Sequence, residues 1–430
     1  MLLLAIILCL LIAVLVVGQL LGVRSYIRLS GRIRFPPVAE DELPPAAVLL
    51  SLRGNDPYLT ECLQRLAAQD YPQYRLHVIL DHPSDPARQT IEDWLQEHED
   101  FPIAVDFLHD ISPHTYLKTS ALRQCISGLD ANIGVVLLVD ADTLVYDRWL
   151  RDTVTPMIHS DVGVVSGNRW YDPTRSACGS MVRCIYNTCC VSPMYFMRAT
   201  WGGSQGVRRD VFAQDYFFDR MLDTPSEEQA IQVAARHANA LVEVHPNIMI
   251  LNREDCNLAS CFAFMRRQLI WTRLCHPHWR AIILGVTGVY LLHSASFILA
   301  LAAAVTGEYL VAGLLTSALL VQLAAAQFIL EWLHHTIGSR MLAGGAEPFP
   351  AITMPARLRL LLTWPLGFLV LCWAAFSATV ARRVLWRGIT YQVIPPDRIR
   401  MTEYRPLAER LAAASSEARS GATSGSHSLG

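Results

Sequence analysis

The chain has 430 residues, 52% of them apolar and only 17% charged, with a mean hydropathy of +0.28. That composition excludes an ordinary soluble protein, and a formal net charge of −2 carries no signature of nucleic-acid binding. The 11 cysteines form no CxxC pair and no metal-like spacing with histidine, which suits reduced thiols in a cytoplasmic domain.

Residues 1–23, MLLLAIILCLLIAVLVVGQLLGV, carry no charged side chain and are long enough to cross a hydrocarbon core of about 30 Å. The apolar run starts at Met1 and the basic residues follow it. A cleaved signal peptide has the opposite order, so the segment reads as an uncleaved anchor. Arg24, Arg28, Arg32 and Arg34 precede any acid, which predicts a cytoplasmic middle for the chain.

Residues 24–45 are a basic and then Pro-rich linker. From 46 to 260 the pattern alternates between strand and helix. AAVLLSL, YRLHVILD, PIAVDFLHD and NIGVVLLVDAD read as strands, with helical spacing in the segments between them. The first and second of these helical segments open on Asp-Pro, with Asp56 and Asp85 as N-caps. The β-α-β-α-β-α-β order predicts an α/β domain with a mostly parallel sheet and ligands at the carboxyl ends of its strands. VGVVSGNRWYD and ALVEVHPNIMIL add later strands.

Residues 261–280 read as an interfacial amphipathic segment with snorkelling arginines. Residues 281–395 hold three further spans, 281–306, 309–332 and 358–380, followed by a WRG segment. Arg340, Arg357 and Arg359 agree with a cytoplasmic middle. Arg382, Arg383 and Arg387 do not if all four segments cross, which points to one re-entrant or interfacial segment. Residues 396–430, ending in a small, polar, Gly/Ser-rich run, are expected to be disordered.

Asp140 and Asp142 stand at the end of the most apolar strand. A turn there can bring both to one divalent cation, Mg²⁺ or Mn²⁺, whose shell water and phosphate oxygens would complete. Capping of the following turn accounts for the pair equally well. Asp81 ends the second strand at the same sheet edge and suits a nucleobase N–H or a ribose hydroxyl. In SLRGNDP, Leu52 and Arg53 lead into Gly54, which permits close backbone approach to a ligand. Lys118, opening the third helix, is placed to reach a phosphate or to be a solvated lysine. Gly203 and Ser204 lie in WGGSQGVRRDVF, either a loop against an acceptor or a simple turn. Glu227 and Glu228 follow Ser226 in a first helical turn. Acids there favour the helix dipole, and one of them can also serve as a general base.

The order of these features resembles the membrane-bound inverting glycosyltransferases of family two, with a GT-A domain, and among them the ceramide glucosyltransferases and their bacterial relatives. The resemblance covers roughly residues 45–395. It rests on LRGNDPYLTECLQRLAAQDYPQYRLHVILDHPSDPA, KTSAL, DAD, WGGSQGVRRDVF and WRGITYQV. It implies a nucleotide-sugar donor site at Asp81, Leu52, Arg53, Gly54, Lys118 and Asp140. It implies a metal at Asp142 and Asp140. The base pair becomes Glu227-Glu228, with Glu228 where the family has Asp. The acceptor side comprises Gly203, Ser204, Arg267 and Trp271, with Ile270 at the arginine position of (Q/R)xxRW.

The implied activity moves one sugar, glucose from a UDP-sugar, to a lipid hydroxyl at the bilayer. The cytoplasmic domain would face inward from a bacterial inner membrane, or from an endomembrane in a eukaryote. A processive polysaccharide synthase would need more spans for its channel, and a catalytically weak nucleotide-sugar-binding membrane protein is the remaining alternative.

Overall fold

The computed structural model describes residues 1–213 and 216–413. Contacts divide the chain into two units. One comprises Met1–Arg34, Gly167–Ala199 and Val244–Ala381. The other comprises Phe35–Ser166, Thr200–Glu243 and the chain from Arg382 onward. This division cuts across the single 46–260 domain read from the sequence.

The second unit is built on the predicted apolar runs. β1 (Ala46–Leu52), β2 (Tyr74–Leu80), β3 (Ile103–Phe107) and β4 (Val135–Val139) alternate with helices Leu59–Ala67, Ala87–Glu97 and Leu117–Ser127. β5 (Val162–Tyr171), β6 (Ser204–Arg208) and β7 (Leu241–Asn252) complete a seven-stranded sheet of order β3-β2-β1-β4-β6-β5-β7. The β1–β2, β2–β3 and β1–β4 pairs are parallel, and β6 is antiparallel to both β4 and β5. β4 lies in the middle and all five of its residues are buried, as a continuous VVLLV run requires when both faces are covered. Leu49, Leu122, Leu138, Val207, Phe217 and Ile231 share one core cluster on a face of this sheet.

β6 carries little strand signal, because SQGVR is short and polar at its start. It forms because β4 needs a partner on its open side, and Val139 pairs with Ser204. The helices after β1 and β2 start at Leu59 and Ala87, slightly later than the Asp-Pro pairs suggest. Asp85 still accepts the Ala87 amide at 2.9 Å.

The chain after the last apolar helix is ordered where disorder is expected. β8 (Arg383–Trp386), β9 (Ile389–Ile394) and β10 (Arg398–Met401) form an antiparallel sheet, and a helix covers 407–413. The β8–β9 turn places Arg387 at φ 46° and Gly388 at φ 80°, the two positive values of a type I′ hairpin. Ladder bonds and the burial of Ile399 and Met401 outweigh the polar composition of 396–413. Residues 414–430 of the expected disordered tail lie outside the described residues.

The other unit is helical: Leu2–Ser30, Cys178–Met197, Leu258–Cys275, Trp279–Val305, Tyr309–Ala343 and Met354–Val380. Among the described residues, Leu2–Ser30, Trp279–Val305, Tyr309–Ala343 and Met354–Val380 are long and apolar enough to cross a membrane. Val305 and Leu362 are each 80% exposed, a surface that water would not tolerate on this scale and lipid would cover. The protein is a membrane protein. Small residues let the helices approach closely where Ala5, Ala300 and Ala303 pack with Leu8, Val311 and Leu315.

The arginines of 261–280 do more than reach for the interface. Arg273 donates to the carbonyls of Ala378, Thr379 and Ala381 at 2.6, 2.7 and 3.1 Å, and Arg266 to Ser377 Oγ at 2.8 Å. Arg273 thereby supplies side-chain donors to the carbonyl end of Met354–Val380.

Candidate active site

Parallel pairing brings the carboxyl ends of β1, β2 and β4 to one rim. Antiparallel β6 starts at that same rim, so Arg53, Asp81, Asp140 and Gly203 converge there.

The centre of the rim is Lys118. Its Nζ lies 2.7 Å from Asp140 Oδ1 and 2.9 Å from Glu227 Oε1, and it donates to the Gly202 carbonyl at 3.3 Å. Burial works against the ammonium, but Asp140, Glu227 and Glu228 outweigh it and hold Lys118 protonated. Lys118 is therefore no solvated surface lysine. Thr119, the next residue of the same helix, donates to Glu227 Oε2 at 2.9 Å. Both Glu227 oxygens thus have partners, and Glu227 is 3% exposed.

Glu228 is half-buried, and its Oε1 accepts the Gly202 amide at 2.9 Å. Burial, and then the neighbouring Glu227, push its carboxyl up to about 7, with Lys118 acting in the opposite direction. Gly202 is a glycine for a steric reason. A Cβ there would stand 2.7 Å from Glu227 Oε1 and 2.8 Å from Glu228 Oε1.

Asp140 is 29% exposed at its side chain and tied to Lys118. Asp142 is half-buried one turn position on. Buried Cys62, on the helix after β1, places the acids around it. Burial and then Asp142, Asp56, Asp140 and Glu61 all push its thiol up, and its Sγ donates to the Asp140 carbonyl at 3.8 Å. This donor set fits a hard divalent cation held through Asp142 with Asp140 beside it. Among the described residues no three His, Cys, Asp or Glu side chains gather as a full metal cage. An ion here would complete its shell with water and phosphate oxygens, the usual habit of Mg²⁺ at phosphate sites.

At the other end of the rim, Asp81 is ion-paired to Arg53, with side-chain exposures of 0% and 7%. Burial raises the Asp81 carboxyl, while Arg53 and the Tyr404 hydroxyl pull it down. Gly54 takes φ 86°, and its amide donates to both Asp85 oxygens at 3.0 Å. Asp85 thus clamps the β1 loop as well as opening its helix. Leu52 is a core residue whose carbonyl accepts the Asp81 amide at 3.0 Å.

Gly203 and Ser204 stand where β6 begins. Ser204 is the first residue of β6, fully buried, and its Oγ accepts the Trp149 indole at 2.8 Å, so its hydroxyl serves the core. Gly203 is buried beside Asp140. A Cβ there would stand 2.4 Å from Asp140 Oδ2 and 2.3 Å from the Trp201 ring. Its role is close packing. Arg267 and Trp271 lie on Leu258–Cys275 in the helical unit, where the Arg267 guanidinium sits 5.7 Å from the Phe264 ring centre.

Asp56, Thr119, Arg387 and Tyr404 are site-rim residues that sequence reading missed. Arg387 donates to Asp56 at 3.2 Å, and its carbonyl accepts from Arg53 Nε at 2.8 Å. The WRG motif was the available signal, but nothing in its spacing says which strand ends it meets.

The chain is a glycosyltransferase whose mostly parallel α/β sheet is accompanied by helices long and apolar enough to cross a membrane. The chain belongs to glycosyl transferase family 21, whose model matches residues 7–399. Among curated proteins none matches.

Similar solved structures include a mannosyltransferase, PcManGT, from Pyrobaculum calidifontis in complex with GDP-Man and Mn²⁺ (14% identity, 87% of this chain and 98% of that chain, TM-score 0.45). Another is S. aureus TarS in complex with UDP-GlcNAc (16% identity, 84% and 100%, TM-score 0.35). A third is glucosyl-3-phosphoglycerate synthase from Mycobacterium tuberculosis in complex with Mn²⁺ and uridine-diphosphate-glucose (12% identity, 55% and 83%, TM-score 0.36).

Gly202→Ala is expected to lower the sugar-transfer rate by about 100-fold, because the methyl group displaces both glutamates by a fraction of an ångström or more. Turnover of a nucleotide-sugar measured beside a circular-dichroism melt checks this; an unchanged rate in a folded variant would remove the glutamate pair from the site.

Proposed function

We propose that the protein is an inverting transferase that moves one hexose, glucose by preference, from a nucleotide-sugar to the hydroxyl of a membrane lipid. The observation that carries this reading is the half-buried Lys118 bridge joining Asp140 to Glu227, with Glu228 beside it pushed up to about 7. One ammonium links the acids suited to a donor diphosphate to the acids suited to an acceptor.

In this reading Asp142, with Asp140, would hold Mg²⁺ or Mn²⁺, which when bound offsets charge on the leaving diphosphate. Lys118 supplies a fixed positive charge toward the same oxygens. Glu228, with Oε1 on the Gly202 amide, takes the acceptor's hydroxyl proton on its other oxygen as that hydroxyl attacks the anomeric carbon. A carboxyl near 7 is matched to such a proton transfer at neutral pH. Glu227 keeps Lys118 in place and, as a like charge, keeps Glu228 basic. Glucose and UDP remain the family resemblance's suggestion, and GDP-sugars stand as competitors. Arg267 and Trp271 are assigned to the acceptor side because their helix belongs to the apolar unit.

The four arginines after the first helix support a cytoplasmic catalytic unit. Residues 382–413 share that unit with residues 46–166. The number of crossings between them must then be even, yet three apolar helices intervene. We assign Met354–Val380 as the one that does not cross. It packs on Cys178–Met197, where a Cβ on Gly367 would lie 2.9 Å from Ile185, and on Leu258–Cys275 through Arg266 and Arg273. Neither partner helix ranks among the apolar spans. Lying along the interface, Met354–Val380 leaves Arg382, Arg383 and Arg387 on the cytoplasmic side.

Purified protein incubated with UDP-glucose, GDP-mannose and a lipid extract should yield a singly glycosylated lipid by mass spectrometry, and a ladder of oligosaccharides would replace this reading with a processive one. Asp142→Asn should cut turnover by roughly two to three orders of magnitude; retention of the wild-type rate rules out the metal role. The rate should rise with pH through about 7 as Glu228 loses its proton. In Glu227→Gln that rise should move to lower pH, because a like charge is gone, and a shift upward contradicts the pairing. In a cysteine-free background, Gln89→Cys and Arg400→Cys should label from the same membrane face, whereas opposite faces would make Met354–Val380 a full span.

A further inference from the structure

The β10 strand ends at Met401, and Thr402 still bonds to the neighbouring strand. The Thr402 amide and hydroxyl both donate to the Thr390 carbonyl, at 3.0 and 2.8 Å. The chain then returns to the ends of β1 and β2. Tyr404 Oη donates to the Asp81 carbonyl and to Asp81 Oδ1, each at 3.1 Å. The Arg405 carbonyl accepts from Arg53 Nη2 at 2.9 Å, and the Arg53 guanidinium sits 5.8 Å from the Tyr404 ring centre. A Cβ on Gly54 would stand only 2.6 Å from Leu407 Cδ2.

These are the residues that, on the function proposed above, receive the nucleoside end of the donor. Both Asp81 oxygens are engaged, one by Arg53 and one by Tyr404, and the Asp81 side chain has no exposed surface. Tyr404 offers Asp81 what a nucleobase would offer: a flat ring, a cation beside it, and a polar hydrogen aimed at the carboxylate. We propose that residues 403–413 are a strap that occupies the nucleoside end of the donor site in the resting chain, and that the donor nucleotide binds by displacing it. Thr402 is the hinge, since the ladder holds everything before it. Arg405 is 58% exposed at its side chain, and its side-chain ion pair is with Glu403 of the strap itself. Apparent donor affinity is then lowered by the fraction of molecules with the strap in place.

The full-length protein in detergent, titrated with UDP and with GDP in the presence of Mn²⁺ by calorimetry, tests this. Tyr404→Phe removes the hydroxyl that mimics the base, and Leu407→Ala removes the side chain against Gly54. Each should tighten the nucleotide that binds, by about tenfold for Tyr404→Phe, the worth of a hydrogen bond to a charged group. In the wild-type chain, saturating nucleotide should speed tryptic cleavage at Arg405 and Arg410 several-fold. Unchanged or weaker binding by both folded variants, or slower cleavage with nucleotide, overturns the strap while leaving the donor site in place. Failure of both nucleotides to bind any of the three proteins removes the donor site and the strap together.

Discussion

A single half-buried ammonium organises the rim where the strand ends meet. Without Lys118, the carboxylates of Asp140, Glu227 and Glu228 would face one another with burial already working against charge, and such a cluster persists only if it is paired or protonated. The lysine resolves this unequally. Asp140 and Glu227 take direct contact, while Glu228 is left with an amide and keeps a high proton affinity. Two adjacent glutamates in one helical turn thereby acquire different electrostatic surroundings.

That bridge is possible because of the sheet's pairing pattern. Parallel β1, β2 and β4 deliver their ends to one rim, and antiparallel β6 returns Gly202 and Gly203 to it. Glycines there admit carboxylates at distances that any side chain would block. The other end of the rim is saturated differently. Arg53 meets Asp81, and the chain's own C-terminal segment completes the set of partners. On the function proposed above, a donor arriving there would compete with intramolecular bonds, whereas at Asp142 it would meet a half-buried acid.

The helical unit follows another logic. Its outward residues are apolar enough that lipid must cover them, while Glu331 and Arg273 find their partners within it. Glu331 takes two bonds from Arg357 at 2.7 and 2.8 Å, and Arg273 closes the carbonyl end of Met354–Val380. Arginines that look like interfacial anchors in the sequence serve as helix caps once a second helix end is near.

The sequence by itself determined the alternation of four strands with three helices, the apolar helices, and the acids at strand ends. Each follows from local periodicity and run length, which a backbone must obey wherever it sits. It also marked Lys118, Asp140, Glu227 and Glu228, but as separate residues with bland rivals. Only the tertiary structure decided that one ammonium joins Asp140 to Glu227, that Ser204 belongs to the core, and that Tyr404 and Arg405 fold back on Asp81 and Arg53. Those contacts span from 22 to more than 300 positions along the chain. No local pattern encodes them, because they arise from which strand ends share a rim and which distant segment supplies the hydrogen bonds left open there.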